Sequence, residues 1–300
     1  MTPKLAITAG DPTGIGPEII LKALMIKPEL LDQALWTAIG PTAWLSSLPA
    51  HAHLTRLDPC PDQTDAGTCS YAYVETAAAL ALNHDVVGMV TAPICKEAWI
   101  RAKKPFSGHT EMLASLSDTT RYAMAFASPQ LNVMLATIHI PLSLVSQHIT
   151  PERLFEKIQL AHEFGLSLGY SHPRIGVAGL NPHAGESGHI GAEDLTIIKP
   201  TILKAQQAGI HVSGPYPADT LFHLAANEHH VDIVLAMYHD QGLAPLKLIA
   251  FHEAVNLTVG LPFIRTSPDH GTAFDLVGKG TANPSSMLMA MRLAIQMAGS

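Results

Sequence analysis

The sequence has little charge, few cysteines and no long apolar run, and each shortage excludes a class of protein. Only 14% of the 300 residues are charged, and 18 lysines and arginines face 25 aspartates and glutamates. A net charge of −7 gives no positive field with which to hold a nucleic-acid backbone, so nucleic acid is not expected as a partner. The three cysteines form no CxxC pair. Neither a disulfide framework nor a thiolate metal site is therefore predicted.

The apolar residues do not form a membrane span or a secretion signal. A span needs about 20 consecutive apolar residues, and the most apolar segment, Met287 to Ala298, is interrupted by Arg292 and Gln296. The first residues also lack the basic segment and apolar stretch that are typical of a signal peptide. We therefore expect a cytoplasmic protein without membrane contact. Since 47% of the residues are hydrophobic, the chain has enough apolar surface for a core and a subunit interface.

Strand-like apolar runs alternate with longer helical patterns, which predicts an α/β fold with mostly parallel sheets. The predicted strands are residues 5–8, 86–91, 133–138, 175–178 and 233–237. The predicted helices start near Pro17, after Pro93 and at 151–168, and continue with 192–208 and with a last helix from Ser285 to the end. The segment 48–67 is rich in Pro, Asp, Thr and His with weak periodicity, so it is predicted to be irregular.

A glycine-rich turn, GDPTGIGPE at residues 10–18, follows the first predicted strand. It is neither the GxGxxG dinucleotide fingerprint nor a phosphate-binding P-loop. Backbone N–H groups at the start of a helix suit an anion or a polar ligand. Because Asp11 and Glu18 flank the glycines and would repel phosphate, we expect the turn to shape a site rather than to hold phosphate. A purely structural turn is the alternative.

A second loop, DHGTAFDLVGKGTANP at residues 269–284, is more specific. It resembles the adenosine-binding loop of the isocitrate and isopropylmalate dehydrogenases, which bind NAD without the Rossmann fingerprint. The resemblance places Asp275 near the adenosine ribose and His270 near the adenine. Small residues let the backbone approach a cofactor, and Asn283 is placed to cap the next helix. The candidate residues for NAD or NADP are His270, Gly271, Ala273, Asp275 and Asn283. The alternative is a plain glycine-rich loop.

Histidine is abundant, with 17 residues, and three histidines follow predicted strands: His139, His183 and His239. Ligands bind at the carboxyl ends of the strands in α/β sheets, where separate loops meet. Three neutral imidazoles leave coordination positions open on Zn²⁺ or a similar ion for a substrate oxygen. Each histidine alone is equally compatible with a hydrogen-bonded loop residue, so the prediction depends on the set.

Long motifs make most of the chain similar to the 4-hydroxythreonine-4-phosphate dehydrogenase family of pyridoxal-phosphate biosynthesis (the PdxA family). They include GHTE, THIPL, LNPHAGESGHIGAED, YHDQGLAPLK and VNLTVGLPFIRTSPDHGTA. The resemblance implies that His139, His183 and His239 bind a divalent metal (zinc, magnesium or cobalt). It also implies a homodimer whose active site lies at the subunit interface, with metal ligands from both subunits. The implied contacts to a phosphorylated substrate are His109, Thr110, Lys247, Asn256 and Arg265.

The resemblance also implies a two-domain fold like that of isocitrate and isopropylmalate dehydrogenases, with an interdomain cleft. We expect residues 1–128 and 266–300 to form a cofactor-side domain, and 129–265 a metal-binding and dimerisation domain. The expected reaction is metal-dependent oxidation of 4-phosphooxy-L-threonine at its 3-hydroxyl by NAD or NADP. Decarboxylation to 3-amino-2-oxopropyl phosphate then follows.

The candidate catalytic residues are Asp240, Asp219 and Lys247. Lys247 and Arg265 supply positive charge for a phosphate or carboxylate. Asp240 stands beside His239, so it is a candidate for orienting that ring or moving a proton, as is Asp219. Either aspartate is equally suited to be a helix cap.

Three other functions stay open at this point. The segment 249–254 replaces a glycine-rich stretch that we associate with the family, so a dehydrogenase of 4-phospho-threonate or 4-phospho-erythronate is the first alternative. A three-histidine metallohydrolase is the second, and it predicts turnover without nicotinamide. A non-catalytic metal-dependent binding protein is the third. The adenosine-type loop at 269–284 argues against the last two.

Overall fold

The computed structural model describes residues 2–62, 65–106 and 108–299. The chain divides into two compact units, and the first of them is discontinuous. Unit 1 consists of Met1–Thr120 with Val255–Ser300, and unit 2 is Arg121–Ala254.

The elements are numbered along the whole chain. The strands are β1 (Lys4–Thr8), β2 (Leu35–Ile39), β3 (Leu54–Leu57), β4 (Gly88–Thr91), β5 (Ala123–Ala127), β6 (Val133–Leu135), β7 (Ile175–Ala178), β8 (Val212–Tyr216), β9 (Ile233–Ala236), β10 (Val255–Val259) and β11 (Ile264–Pro268). The helices are α1 (Gly16–Ile26), α2 (Leu30–Gln33), α3 (Thr42–Ser47), α4 (Ala66–Leu82), α5 (Lys96–Arg101), α6 (His109–Leu116), α7 (Val145–His148), α8 (Pro151–Ser167), α9 (Lys199–Gln207), α10 (Ala218–Ala226), α11 (His239–Ala250) and α12 (Ser285–Ala298).

Unit 1 contains strands in the order β3-β2-β1-β4-β11-β10. The first five run parallel, and β10 pairs with β11 in the antiparallel sense. Strand β4 is buried along its whole length, as expected for a parallel strand covered on both faces. The largest buried side chains of the unit include Trp36, Trp99 and Tyr73. Burying such aromatic surface is the main force that stabilises the unit.

Unit 2 contains strands in the order β5-β6-β9-β7-β8. Strands β6, β9, β7 and β8 run parallel, while β5 pairs antiparallel with β6. Its core joins the strands to α10 and α11 through buried side chains such as Phe126, Leu135, Leu221 and Leu246. Three parallel neighbours, β6, β9 and β7, therefore present their carboxyl ends at one edge.

The predicted α/β class with mostly parallel strands is confirmed, and so are the five predicted strands, with their ends adjusted by a few residues. The predicted start of α8 is also confirmed, because the Thr150 hydroxyl accepts a hydrogen bond from the Arg153 N–H at 3.3 Å. In the described ranges, no helix combines the length and apolar character that a membrane crossing requires.

Three predicted elements differ from the structure. The segment 48–67 is not irregular throughout, because it contains β3 and the start of α4. Strand β3 buries only Leu54 and exposes its other three residues, so its apolar pattern is too short to detect. The helix expected after Pro93 begins only at Lys96. The single helix expected over 192–208 is a π-helical turn, Asp194–Ile198, followed by α9. Pro200 lacks an N–H and disfavours regular α-helical bonding in the preceding turn.

Candidate active site

Two of the three predicted metal ligands lie side by side at the carboxyl edge of unit 2. His139 follows β6, and His239 is the first residue of α11, after β9. The two connections are tied together, since the Ala136 N–H donates to the Ala236 carbonyl at 2.8 Å and the Thr137 hydroxyl donates to the Met237 carbonyl at 2.7 Å. The ring centroids of His139 and His239 are 5.6 Å apart. This spacing suits two imidazoles that approach one ion.

Asp240 orients one of these rings. Nδ1 of His239 lies 2.7 Å from Oδ1 of Asp240. When Nδ1 carries the proton and donates it to this carboxylate, Nε2 keeps its lone pair for a metal. The side chain of Asp240 is exposed, as is Asp219 on α10. Asp219 does not cap α10, because the cap position is Pro217 and no side-chain bond closes it.

Sequence reasoning missed Gln241, which connects two strand ends. Its Oε1 accepts from the Met237 N–H at 2.7 Å, and its Nε2 donates to the Gly179 carbonyl at 2.8 Å. Gly179 directly follows β7, and Met237 follows β9. Gln241 therefore fixes the entry into α11, where His239 stands. Gln241 belongs to the YHDQ motif, but sequence reasoning assigns a role only to the histidine and the aspartate of that motif.

His183 lies in a strained segment after β7. Residues His183, Ala184, Glu186 and Ser187 all have φ between +42° and +58°, in the left-handed region. Each such residue costs about 1–2 kcal/mol, so its surroundings must impose the conformation. The buried Asp194 carboxylate anchors the chain just before this segment, because it accepts from the Leu180 and Asn181 N–H groups at 2.8 and 3.1 Å. Residues held in this way are concentrated at functional sites.

His183 does not complete a three-ligand cluster with His139 and His239 within one chain. Among the described residues, ligand atoms of three His, Cys, Asp or Glu side chains lie within 4.8 Å of one another at one place, formed by Asp32, His51 and His53 of unit 1. The histidine pair in unit 2 therefore needs a ligand from elsewhere to make a three-histidine site.

In unit 1, the predicted substrate residue Arg265 is almost completely buried, with 5% exposed surface. Its guanidinium donates to the Thr91 hydroxyl at 3.0 and 3.2 Å, to Thr258 at 3.3 Å and to the Asn256 amide oxygen at 3.4 Å. All these acceptors are neutral. Burial lowers the pKa of Arg265 to about 10, while Glu111 acts in the opposite direction. A buried cation whose hydrogen bonds all go to neutral oxygens is stabilised further when an anion binds to it directly.

His109, the first residue of α6, lies in the same electrostatic environment. Its Nε2 is enclosed and has no hydrogen-bond partner. Burial, together with the charges of Arg265 and Lys96, holds the pKa of His109 well below its usual value, so the ring is neutral at pH 7. The buried Thr110 follows it on the helix. Lys96, which sequence reasoning missed, lies beside Gly108. A Cβ added to Gly108 would be 3.2 Å from Cε of Lys96.

The remaining predicted substrate residue, Lys247, belongs to unit 2. It lies in the last turn of α11, and its Nζ is 5.5 Å from the centroid of the Phe251 ring. The structure thus groups Arg265, His109 and Asn256 in unit 1 and leaves Lys247 with the histidines of unit 2.

The two glycine-rich turns of unit 1 contact each other. The Ile15 N–H donates to the Thr272 carbonyl at 3.0 Å, and a Cβ on Gly14 would lie 3.0 Å from Cβ of Thr272. Asp11 is buried and accepts two hydrogen bonds from Thr13, so it shapes the first turn itself. The first turn thus supports the second.

The predicted cofactor loop is held at both ends and open in the middle. Lys22 donates to the carbonyls of Gly280 and Ala282, both at 2.9 Å. Asn283 accepts from the first N–H of α12, on Ser285, at 2.9 Å, close to the predicted capping role. Nε2 of His270 is buried without a hydrogen-bond partner. An unpaired buried nitrogen in an otherwise open loop fits a nucleotide base or ribose.

The remaining predicted cofactor residues lie in open surroundings. Ala273 adopts a left-handed conformation, Asp275 is exposed in the turn Phe274–Leu276, and a Cβ on Gly271 would meet no atom within 4 Å.

Comparison with known proteins adds the following. Residues 32–294 match the family described as "Pyridoxal phosphate biosynthetic protein PdxA". The chain is 45% identical to a 4-hydroxythreonine-4-phosphate dehydrogenase of Thermosynechococcus vestitus, over 97% of this chain and 95% of the relative. It is 40% identical to a D-threonate 4-phosphate dehydrogenase of Pectobacterium atrosepticum, over 99% and 100% of the two chains.

Solved structures confirm the predicted fold type. The crystal structure of a 4-hydroxythreonine-4-phosphate dehydrogenase from Klebsiella pneumoniae superposes with a TM-score of 0.87 at 38% identity, covering 100% of this chain and 99% of that one. An isocitrate dehydrogenase from Methylococcus capsulatus superposes with a TM-score of 0.51 at 15% identity, covering 96% and 83%. The second likeness shows the fold alone.

Proposed function

The chain belongs to the PdxA family of pyridoxal phosphate biosynthetic proteins, and from this membership we propose that it oxidises 4-phosphooxy-L-threonine at the 3-hydroxyl. It is an oxidoreductase. In the proposed reaction a hydride passes from C3 to NAD or NADP, and the carboxylate then leaves as carbon dioxide. The product is 3-amino-2-oxopropyl phosphate.

The observation that carries this proposal is the buried Arg265. Its hydrogen bonds within the described part of the chain all go to neutral acceptors, and only the nearby charge of Glu111 offsets its burial, so the phosphate or carboxylate of the substrate would supply a directly bound anion. A guanidinium binds such groups through paired, charge-assisted hydrogen bonds. His109, which is neutral, offers its enclosed Nε2 to the same ligand. Thr110 and Asn256 add polar groups, and Lys247 supplies a further positive charge.

For the metal, we propose that His139 and His239 of one subunit are joined by His183 of a second subunit in a homodimer. Two observations support this arrangement. The rings of His139 and His239 lie 5.6 Å apart, and among the described residues of one chain His183 forms no three-ligand group with them. Imidazole nitrogens fit zinc or cobalt well, and magnesium less well. A divalent ion bound there makes the substrate hydroxyl more acidic and stabilises the negative charge left after decarboxylation.

The chain's own residues do the rest. Asp240 keeps the Nδ1 proton of His239 in place and so fixes the orientation of the ring. Asp219 and Lys247 are the proposed groups for proton transfer. The loop with His270, Gly271, Ala273, Asp275 and Asn283 binds the nucleotide. We propose unit 1 as the cofactor-side domain and unit 2 as the metal-binding and dimerisation domain of a cytoplasmic enzyme.

A second candidate substrate is D-threonate 4-phosphate. Relatives that carry this name are 40% to 42% identical over 99% of the chain, nearly as similar as those named for 4-hydroxythreonine 4-phosphate. The two substrates share the phosphate, the carboxylate and the hydroxyl that is oxidised. They differ in the neighbouring amino or hydroxyl group, so Arg265 binds both equally well.

The test is formation of reduced nicotinamide by the purified protein with each phosphorylated substrate. We expect turnover with NAD or NADP that stops after chelation and returns when a divalent metal is added. Arg265→Met should lower kcat/KM by about 100-fold or more, since losing a charge-assisted contact costs about 3 kcal/mol. Arg121→Met, which removes an exposed ion pair with Glu163, is the matched control.

Turnover with D-threonate 4-phosphate alone would keep the chemistry and change the substrate. Turnover of a phosphorylated substrate without any nicotinamide would contradict the proposal and favour a three-histidine hydrolase.

A further inference from the structure

A second group of metal-ligating side chains lies in unit 1, outside the proposed active site. Asp32 of α2 and the HAH sequence at His51 and His53, just before β3, bring three ligand atoms within 4.8 Å of one another. Oδ1 of Asp32 is 3.3 Å from Nε2 of His51. Two ligand atoms on one tetrahedral zinc ion lie about 3.4 Å apart when the metal bonds are about 2.0–2.1 Å, so this pair already has the required spacing.

The backbone prepares His53 to bind an ion. Its Nδ1 lies 3.2 Å from the Leu31 carbonyl, which accepts a hydrogen bond from that nitrogen when Nδ1 carries the proton. Nε2 then keeps its lone pair, and the ring has the orientation seen in metal sites, where the second nitrogen of a ligating histidine donates to a carbonyl. The ring of His51 stands at 83° to that of His53, with 5.4 Å between centroids. Neither ring blocks the other.

The ring proton of His51 must change position when an ion binds. Its Nδ1 now accepts a hydrogen bond from the His53 N–H at 3.2 Å, and its Nε2 faces Asp32. An ion at Nε2 displaces the proton from that nitrogen, and Nδ1 takes up the proton and gives up a long hydrogen bond. The Asp32 carboxylate is 71% exposed, so its interaction with His51 adds little stability by itself and is easily exchanged for a metal bond.

A ligand set of two imidazoles and one carboxylate favours some metal ions over others. Imidazole nitrogen favours zinc, copper, nickel or iron, whereas calcium and magnesium prefer a full set of oxygen ligands. Three protein ligands also leave one coordination position open, unlike the closed four-ligand sites of structural zinc. Asp32 and His51 line an open cavity of about 710 Å³ whose other walls are mostly apolar, including Leu21, Leu24 and Met25. Water or a small ligand in this cavity can reach the open position.

We propose that Asp32, His51 and His53 form a second transition-metal site, which binds zinc with a water or a small anionic ligand in the fourth position. The site uses none of the residues proposed for the dehydrogenase reaction.

Zinc stoichiometry tests this site. Chelated full-length protein with His239→Ala, which weakens the proposed active-site metal, is dialysed against micromolar zinc, and bound metal is measured by mass spectrometry. We expect one zinc per chain in this background and none when His53→Ala is added. His211→Ala is the matched control, because His211 stacks on His172 at 5.7 Å in an exposed pair that belongs to no three-ligand group among the described residues, and we expect it to keep the zinc.

A further variant guards against misfolding. Asp32→Asn changes an exposed side chain and should raise the zinc dissociation constant at least about tenfold while leaving the metal-free melting curve unchanged. Zinc should also raise the melting temperature of the His239→Ala protein but not of the His53→Ala double variant. The proposal is wrong if His239→Ala protein binds no zinc, or if its bound zinc survives both His53→Ala and Asp32→Asn.

Discussion

At the scale of single residues, the arrangement around Arg265 favours the binding of an anionic ligand to the guanidinium. The guanidinium is buried among hydroxyl and amide oxygens, and His109 beside it stays neutral. A protonated His109 would add a third positive charge to Arg265 and Lys96. The depressed pKa of His109 therefore keeps a neutral hydrogen-bonding ring available where a phosphate oxygen is expected.

The same depressed pKa predicts a pH-dependent stability. The unfolded chain protonates this histidine below about pH 6.5, while the folded protein does not, so folding loses stability as the pH falls below that value. We expect the free energy of unfolding of the wild type to fall by up to about 1.4 kcal/mol per pH unit more than that of His109→Asn. Urea unfolding at about pH 7.5 and about pH 5.5 measures this difference.

His148→Asn is a suitable control, because His148 bonds the Leu144 carbonyl in a short surface helix. Equal losses in the wild type and in His109→Asn would show that His109 titrates normally in the folded protein.

Sequence motifs identified Arg265, His109 and the acceptor Asn256 as candidates, and they also contain Thr258 and Glu111, but two other contributors lie outside them. Lys96 belongs to a separate segment, at the start of α5, and Thr91 ends β4. Only the pairing of β4 with β11 brings Thr91 to the guanidinium. A single sequence does not reveal such pairings, so Thr91 was not predictable as an acceptor of this arginine, whereas Asn256 was already a candidate.

At the scale of elements, α1 supports the cofactor loop. Lys22 projects from α1 to two loop carbonyls, and Glu18, one turn earlier, pairs with it at 2.7 Å. The turn before α1 bonds to Thr272 in the same loop. The helix thus holds the loop in place before any nucleotide arrives, which lowers the entropic cost of binding.

Removing this support should weaken the binding of the cofactor without weakening the binding of the substrate. We expect Lys22→Met to raise the KM for NAD or NADP about tenfold with little change in the KM for the phosphorylated substrate, because two hydrogen bonds from a charged donor are lost. Steady-state kinetics with each substrate varied in turn measures the effect. Lys27→Met, at the end of the same helix and paired with exposed Glu29, should leave both constants unchanged. Equal rises in both KM values would contradict a role specific to the loop.

Elements also show where sequence patterns succeed and fail. Strands β1, β4 and β9 are short, apolar and bounded by turns, so their apolar runs predicted them. The π-helical turn before α9 and the left-handed segment after β7 depend on Pro200 and on contacts to the buried Asp194. Pro200 is a local signal that a helix is interrupted, but it does not specify a π-helical turn. The contact between Asp194 and the residues after β7 spans more than ten positions, so local propensity carries no signal for it.

At the scale of the whole molecule, the candidate functional groups are divided between the two units. Unit 1 holds the buried arginine and the cofactor loop, and unit 2 holds the histidine pair. Among the described residues of one chain, His183 forms no three-ligand group with that pair. The discontinuous order of unit 1 follows from β10 and β11 returning to β4, a long-range pairing that composition did not indicate. The resemblance to known dehydrogenases supplied the two-domain expectation instead.

The proposed metal site is built from His139 and His239 of one subunit and His183 of the other. Complementation between inactive variants tests it most directly. In a dimer mixed from His183→Ala and His239→Ala chains, one of the two sites has all three ligands intact. Since half of randomly mixed dimers are mixed pairs, we predict recovery of about a quarter of wild-type dehydrogenase activity.

The matched mixture of His139→Ala and His239→Ala should recover none, because both losses fall on the same side of each site. Mixing is done by unfolding and refolding the two chains together, and exchange is verified by mass-tagged subunits. No recovery in the first mixture, or equal recovery in both mixtures, would contradict a metal site shared in this way.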